Sequence, residues 1–369
     1  MSISHPHQHR TLDRRRFLGG SVIAGGVALL GGPVLLSACG DDDTSGGAAS
    51  GGGSGSATDL ATVFSWVKNV EWAGWWVADK NGYFADNGIA PGFVGGGPNA
   101  PEATQVLEAG EAQLGTASDT LQIIDAVAQG SDLVMIAAVL QQSPLGLAWL
   151  DPEIETLEDM VGKRIGGSPD SPLNIDAVFA ANDLPNDYEF VPIGFDPAPL
   201  ANGEIDVIVC FVTNQPTVLE LQGLEPISRT FSDFGTPLYA DAIIGKRGYL
   251  DENRDAVVGY LRAVVQGWEK NMEDPAVGAQ LAVEEYGADL GLDLEQSTKE
   301  NERQIELQKS DLTDEKGLLW MDPDFMAGPV YEGIRATGRD ELPDVAKLVD
   351  LSFLEEAYDG RTSLLDDGG

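Results

Sequence analysis

Residues 62–94, TVFSWVKNVEWAGWWVADKNGYFADNGIAPGFV, decide the fold. Residues 62–66 read as a strand, 72–81 as a helix stopped by Gly82, and 89–94 as a second strand. Short apolar runs alternating with amphipathic stretches are the signature of an α/β layer. The pattern continues outward. Gly95-Gly96-Gly97-Pro98-Asn99-Ala100-Pro101 opens a helix with Ala103, Val106 and Leu107 on one face. A short strand at 113–117, a helix from a Ser118 N-cap to Ala128, and a strand at 133–140 follow.

A second series begins at Thr156, predicted to cap a helix through Val161 that Gly162 stops. Strands are expected at 163–166, 188–193 and 205–211, and helices at 173–181 and 215–222. Beyond Tyr239, a strand at 242–245 leads into helical stretches at 251–272, 276–286 and 294–307. A helical tail with few strands builds no third sheet, so it is expected to pack back on the first lobe. The chain then crosses between lobes twice, near residues 142 and 236. This predicts an α/β protein in which residues 60–142 plus 236–369 form lobe 1 and residues 143–235 form lobe 2. Two lobes also suit the length, because the roughly 310 residues after the linker exceed what one core usually accommodates.

Ahead of this body, residues 17–38 carry no charge. Gly19, Gly20, Gly25, Gly26, Gly31, Gly32 and Pro33 suit the apolar region of an export signal better than a spanning helix of about 20 strongly apolar residues. Asp13-Arg14-Arg15-Arg16-Phe17-Leu18 resembles the twin-arginine export signal. Leu36-Ser37-Ala38-Cys39 resembles the lipobox of bacterial lipoproteins, in which the cysteine becomes the lipidated first residue. Residues 1–38 are therefore expected to be an export signal. Residues 39–59, rich in Gly, Ser and Asp, are expected to be a flexible linker between a lipid on Cys39 and the folded body. The expected location is the outer face of the cell membrane.

The chain carries 22 basic and 60 acidic residues, a net charge of -38. Such a field argues against nucleic acid as a partner and against adsorption to anionic membranes. All three histidines, His5, His7 and His9, lie in the segment expected to be removed, which excludes histidine acid/base catalysis and the usual zinc sites from the remainder. With Cys39 lipidated, Cys210 has no disulfide partner, and its apolar surroundings at 205–212 predict a buried structural thiol. No catalytic set, metal site or cofactor is predicted.

Trp66-Val67-Lys68-Asn69-Val70-Glu71-Trp72-Ala73-Gly74-Trp75-Trp76-Val77-Ala78, with Asp79-Lys80-Asn81-Gly82-Tyr83-Phe84 and Asn87-Gly88-Ile89, resembles the opening of the solute-binding proteins of ABC importers for thiamine-pyrimidine precursors, riboflavin, nitrate and sulfonates. GGGPNAP at 95–101, Leu157-Glu158-Asp159-Met160-Val161-Gly162-Lys163-Arg164-Ile165-Gly166, and Gly267-Trp268-Glu269 with Asp274-Pro275 resemble later landmarks of the same family. The resemblance implies a two-lobed periplasmic-binding-protein fold of type 2. Its cleft closes on a small molecule, and the closed form docks on an ABC permease. In the pyrimidine-binding branch the position matching Trp72 is often histidine, so a larger flat ligand such as a flavin-like tricycle stands beside the pyrimidine. An anion receptor for nitrate or an alkanesulfonate is the alternative, and it calls for a cation in the cleft, where only Lys68 is expected. Pyrimidine-precursor synthases share this fold, but they carry a cysteine-rich segment and a reacting histidine that residues 39–369 lack.

Ligands of open α/β sheets sit beyond the carboxyl ends of strands. That rule selects Trp66, Asn69 and Trp72 around the first loop; Gly97, Pro98 and Asn99 after the second strand; Ser118 and Asp119; and Gln141 at the first crossing. On lobe 2 it selects Ser168, Asn174, Phe211, Thr213 and Asn214, with Tyr239 near the return crossing. Some of these have a second role available. Trp72 and Trp76, at i and i+4, equally form a core pair, Asn99 and Ser118 equally cap helices, and the glycine run equally makes a tight turn.

Overall fold

The computed structural model describes residues 57–365. The export signal, Cys39 and the linker through residue 56 lie outside the described residues. The first sheet comprises β1 (Thr58–Val63), β2 (Ile89–Val94), β3 (Leu114–Ala117), β4 (Leu133–Leu140) and β10 (Ala240–Lys246), in the order β2-β1-β3-β10-β4. The second comprises β5 (Leu145–Trp149), β6 (Arg164–Gly167), β7 (Glu189–Pro192), β8 (Val207–Phe211) and β9 (Ile227–Thr230), in the order β7-β6-β8-β5-β9. The two sheets repeat one plan. In each, three neighbouring strands, β2-β1-β3 and β7-β6-β8, pair in parallel, and the other two join antiparallel. The chain leaves the first sheet between β4 and β5 and returns between β9 and β10, giving two crossings.

Each sheet is covered on both faces by apolar side chains. Leu60, Phe64, Leu114 and Ile243 pack on one side of the first sheet, and Val63, Ala117, Ile123 and Ile244 on the other. Lobe 2 repeats this with Ile165 and Phe179 on one side and Ile208 and Leu219 on the other. β4 lies at the end of its sheet, yet all eight of its residues are buried. Segments from the C-terminal part cover its free edge. Ala138 N donates to Leu319 O at 3.0 Å and Asp350 N to Met135 O at 2.9 Å, and Met135 bridges Val349. Those contacts satisfy an edge that water or another strand would otherwise pair.

The long helix Arg254–Glu273 crosses the helix Ala73–Lys80 with backbones in close approach. A Cβ on Gly267 would lie 2.0 Å from Gly74 O, and one on Gly74 would lie 2.4 Å from the Trp268 ring. The Gly-Trp pair is thus a packing device. Phe353, Leu354 and Tyr358 of the helix Ser352–Tyr358 join the same core, so the helical tail packs on lobe 1 as expected.

Several local expectations differ. The first strand begins at Thr58, inside the stretch read as linker, and ends at Val63. The Thr156–Val161 helix is a single 3-10 turn, Glu158–Met160, because the Asp159 carboxylate accepts both Thr156 N and Thr156 Oγ1 at 2.9 Å and draws the chain into a tight loop. The helix at 120–128 is capped by Asp119, not Ser118: its Oδ1 accepts from Leu121 N at 2.9 Å and Gln122 N at 3.2 Å. β5 and β9 were not anticipated.

Candidate functional site

The carboxyl ends of strands from the two sheets face one another across a cavity of about 470 Å³, within the usual range for small-molecule sites. Trp66, Asn69, Ser118 and Asp119 line it from the first sheet, and Ser168, Asn174, Phe211, Thr213 and Asn214 from the second. Glu71 and Asp241 of lobe 1, Phe195 of lobe 2, and Glu300 and Gln304 of the helix Leu294–Leu307 complete much of the wall. The half-buried Trp66 ring meets Phe195 edge to face across the gap, with centroids 5.1 Å apart at 75°.

Trp72 does not reach this cavity. It is fully buried and stacks on Phe64 with ring centroids 4.6 Å apart at 15°. The 3-10 turn Val70–Trp72 carries its side chain inward, where its indole N–H donates to Val67 O at 3.0 Å, and Trp76 donates likewise to Asn69 O at 2.8 Å. These two tryptophans hold the 66–71 loop from beneath. Gln304 Nε2 adds a bond to Val70 O at 2.8 Å.

Gly97, Pro98 and Asn99 also stand outside the lining. The glycine run serves close approach: Gly96 N donates to Trp66 O at 2.8 Å, and a Cβ on Gly96 would lie 2.3 Å from Phe64 O. Gln141 is engaged elsewhere, donating to Trp320 O at 2.9 Å and accepting from Ser310 Oγ at 3.0 Å. Tyr239 is buried against Phe325 and its Oη accepts from Asp322 N at 2.9 Å. Lys68 is absent from the wall and packs beside Gly95. Cys210 is buried as expected but does touch the cavity, and burial holds its thiol well above the ordinary value.

Of the cavity's dominant chemistry, its carboxyls, the sequence pointed to Asp119 but not to Glu71, Asp241 or Glu300. Among the described residues Glu71, Asp119, Asp241 and Glu300 line it, and no lysine or arginine does. Burial pushes Glu71 up to about 8, with the Glu300 charge adding to it and hydrogen bonds to Asp241 and Asn69 opposing it. Burial, then the neighbouring Glu71 and Asp119, holds Asp241 well above the ordinary carboxylate range. Asp119 is raised by burial in spite of its two backbone N–H donors. Glu300 is pushed up to about 7 by burial, against hydrogen bonds from Gln296 and Asn214 and the Arg303 charge.

Asp241 combines two unusual features. It is 3% exposed, and it sits within β10 at φ +51°, a left-handed conformation that Asp and Asn tolerate better than other side chains. Strain of this kind costs about 1–3 kcal/mol and clusters at functional sites. A signal was available in the sequence: an aspartate inside the apolar run from Tyr239 to Gly245.

Two other hollows are poorer candidates. One, along Leu294, Thr298 and Glu302, is an open depression on a single helix face. The other, about 530 Å³, lies behind Leu145 and Asn174, and its one arginine, Arg339, is paired with Asp125.

Comparison with known proteins agrees with this architecture. The sequence profile described as NMT1/THI5 like matches residues 69–277. The chain is 25% identical over 221 residues to the formylaminopyrimidine-binding protein of Halalkalibacterium halodurans, spanning 58% of this chain and 66%, just under two thirds, of that relative. Its fold resembles the periplasmic aliphatic sulphonate binding protein SsuA from Escherichia coli, with a TM-score of 0.60 at 14% identity, covering 78% of this chain and 91% of that one. It also resembles the desulfurization enzyme DSZB, with a TM-score of 0.53 at 13% identity, covering 81% of this chain and 99% of that one. With more than half its length matched by the family profile, and two sheets closing on a shared cavity, the chain belongs to the NMT1/THI5-like family.

Proposed function

We propose that this protein is the extracytoplasmic solute receptor of an ABC importer and that it captures a small flat heteroaromatic molecule of the pyrimidine thiamine-precursor class between its lobes. One observation carries the reading: a cavity walled by both sheets, with the Trp66 and Phe195 rings at the gap and no lysine or arginine in its lining. A planar ring against an aromatic face gains about 1–3 kcal/mol, by analogy with base stacking. The relative that binds formylaminopyrimidine supports the pyrimidine class, and a riboflavin-like ring system is the second ligand. The carboxyls disfavour nitrate and alkanesulfonates, since an anion would lose its hydration among like charges. The absence of histidine after residue 9 supports binding over catalysis, although the fold also hosts an enzyme.

In this reading residues 60–142 with 236–369, and residues 143–235, are the two lobes that close on the ligand. Closure about the two crossings presents a shape for a permease. The twin-arginine segment exports the chain, lipid on Cys39 tethers it, and the stretch from residue 39 to the start of the first strand at Thr58 lets it stand clear of the membrane. The test is thermal unfolding of the full chain with formylaminopyrimidine, riboflavin, nitrate and an alkanesulfonate. A binder at 100 times its Kd adds about 2.7 kcal/mol of stability. The pyrimidine is expected to raise the midpoint and the anions to leave it unmoved. A midpoint that shifts with none of them, or with an anion alone, overturns the assignment.

A further inference from the structure

We infer that the cleft is built for a cation: its ligand is a flat organic molecule that binds positively charged and presents an amidine-like edge of adjacent N–H donors to Asp241 and Glu71. The inference rests on the receptor reading and narrows it.

Asp241 is almost wholly buried, lines the cavity and receives no hydrogen bond from any N–H donor among the described residues, its hydrogen-bonding partner being the Glu71 carboxyl. An acceptor in that position, held there by a left-handed backbone, shares one hydrogen bond with Glu71 and keeps lone pairs for a donor from the cavity. Two further carboxyls are half used. Asp119 accepts both of its backbone hydrogen bonds through Oδ1, and Glu300 accepts from Asn214 and Gln296, each at 2.6 Å, through Oε1. Among the described residues, Oδ2 of Asp119 and Oε2 of Glu300 accept none. Paired carboxylate oxygens are well matched to a planar fork of N–H groups.

A metal ion does not suit this arrangement, because no group of described residues converges in the manner of metal ligands. The carboxyls line the walls of a cavity large enough for a ring, which spreads the charge over an organic cation. The Arg303 charge acts on Glu300, and no lysine or arginine among the described residues lines the cavity. The charges of Glu102 and of Asp125, itself paired with Arg339, also raise Asp119. Protons held among these carboxyls do in the free protein what the ligand's charge does in the complex, so docking a cation expels protons.

Titration calorimetry of the full chain with benzamidine, benzamide and benzoate separates the possibilities, because the three share a planar benzene ring carrying a small planar group and differ in charge. Benzamidine is expected to bind about tenfold or more tighter than benzamide, with benzoate weakest. Benzamidine is protonated throughout the working range, so any proton released comes from the protein. Its binding heat should be more exothermic in Tris than in phosphate, since Tris takes up released protons with the larger heat. Asp241→Asn keeps the volume and tolerates the left-handed backbone, and it should erase the preference for benzamidine over benzamide while thermal unfolding confirms a folded variant. Equal binding of benzamide, tighter binding of benzoate, a heat independent of buffer, or an Asp241→Asn variant with the preference intact overturns the inference. The receptor reading survives each of these if the pyrimidine or riboflavin still stabilises the protein. If no member of either panel binds, both fail.

Discussion

Trp66 and Trp72 lie six positions apart, flank the same loop and have opposite fates. Both are aromatic residues bounding the loop after the first strand, so composition and spacing treat them alike. The 3-10 turn that ends at Trp72 separates them, sending one ring to the cavity and the other under the loop against Phe64. Replacing Trp72 with alanine should therefore cost about 3–5 kcal/mol of stability, read as a lower urea midpoint at unchanged slope. Trp66→Ala should cost far less stability and instead weaken ligand binding by about 1–3 kcal/mol, read by calorimetry. Comparable losses of stability in the two variants would make Trp66 a core residue and remove it from the site. Asp241 escaped notice for a related reason. An acidic residue amid apolar neighbours reads as a strand end, and only the partners folded around it disclose a buried acceptor.

At the scale of elements, runs set off by turn residues or carrying a helical period were legible. β2, β4 and the helix Leu294–Leu307 span the residues expected of them. β9 was not, because three of its four residues, ISRT, are polar, and its pairing with β5 supplies what its composition lacks. β5, LGLAW, is a five-residue apolar run with no alternation to mark it as a strand. The crossing of Ala73–Lys80 with Arg254–Glu273 shows the converse. Gly74 and Gly267 weaken their helices by propensity, yet only glycine admits the contact. A Gly267→Ala change, favourable for an isolated helix, should destabilise the protein by about 1–3 kcal/mol through overpacking, seen as a lower thermal midpoint. A raised midpoint would show that helix propensity outweighs the close contact.

Across the whole molecule, the lobes are joined by more than their two connecting segments. Arg303, on the helix Leu294–Leu307 that supports the first loop, donates to Glu220 at 2.5 Å and to Thr217 at 2.7 Å on the lobe 2 helix Gln215–Leu221. One turn away, Asn214 of lobe 2 donates to Glu300, a wall of the cavity. Closure and ligand contact thus share a helix. Because the Arg303–Glu220 pair is about one third exposed, it contributes only about 0.2–1 kcal/mol. Arg303→Ala is expected to lower affinity by at most about fivefold and to raise the radius of gyration in solution scattering without ligand. An unchanged radius with unchanged affinity would show that the pair does not bias closure.

Alternating periodicity and turn residues by themselves determined an α/β chain of two repeating series with a helical tail, since hydrophobic period and glycine stops act over neighbouring residues. The chemistry of the cavity was decided only by tertiary structure. Glu71, Asp119, Asp241 and Glu300 are far apart along the chain, and what distinguishes them from the protein's many solvated carboxyls is the loss of water and the approach of like charge, which exist only once distant segments are packed together.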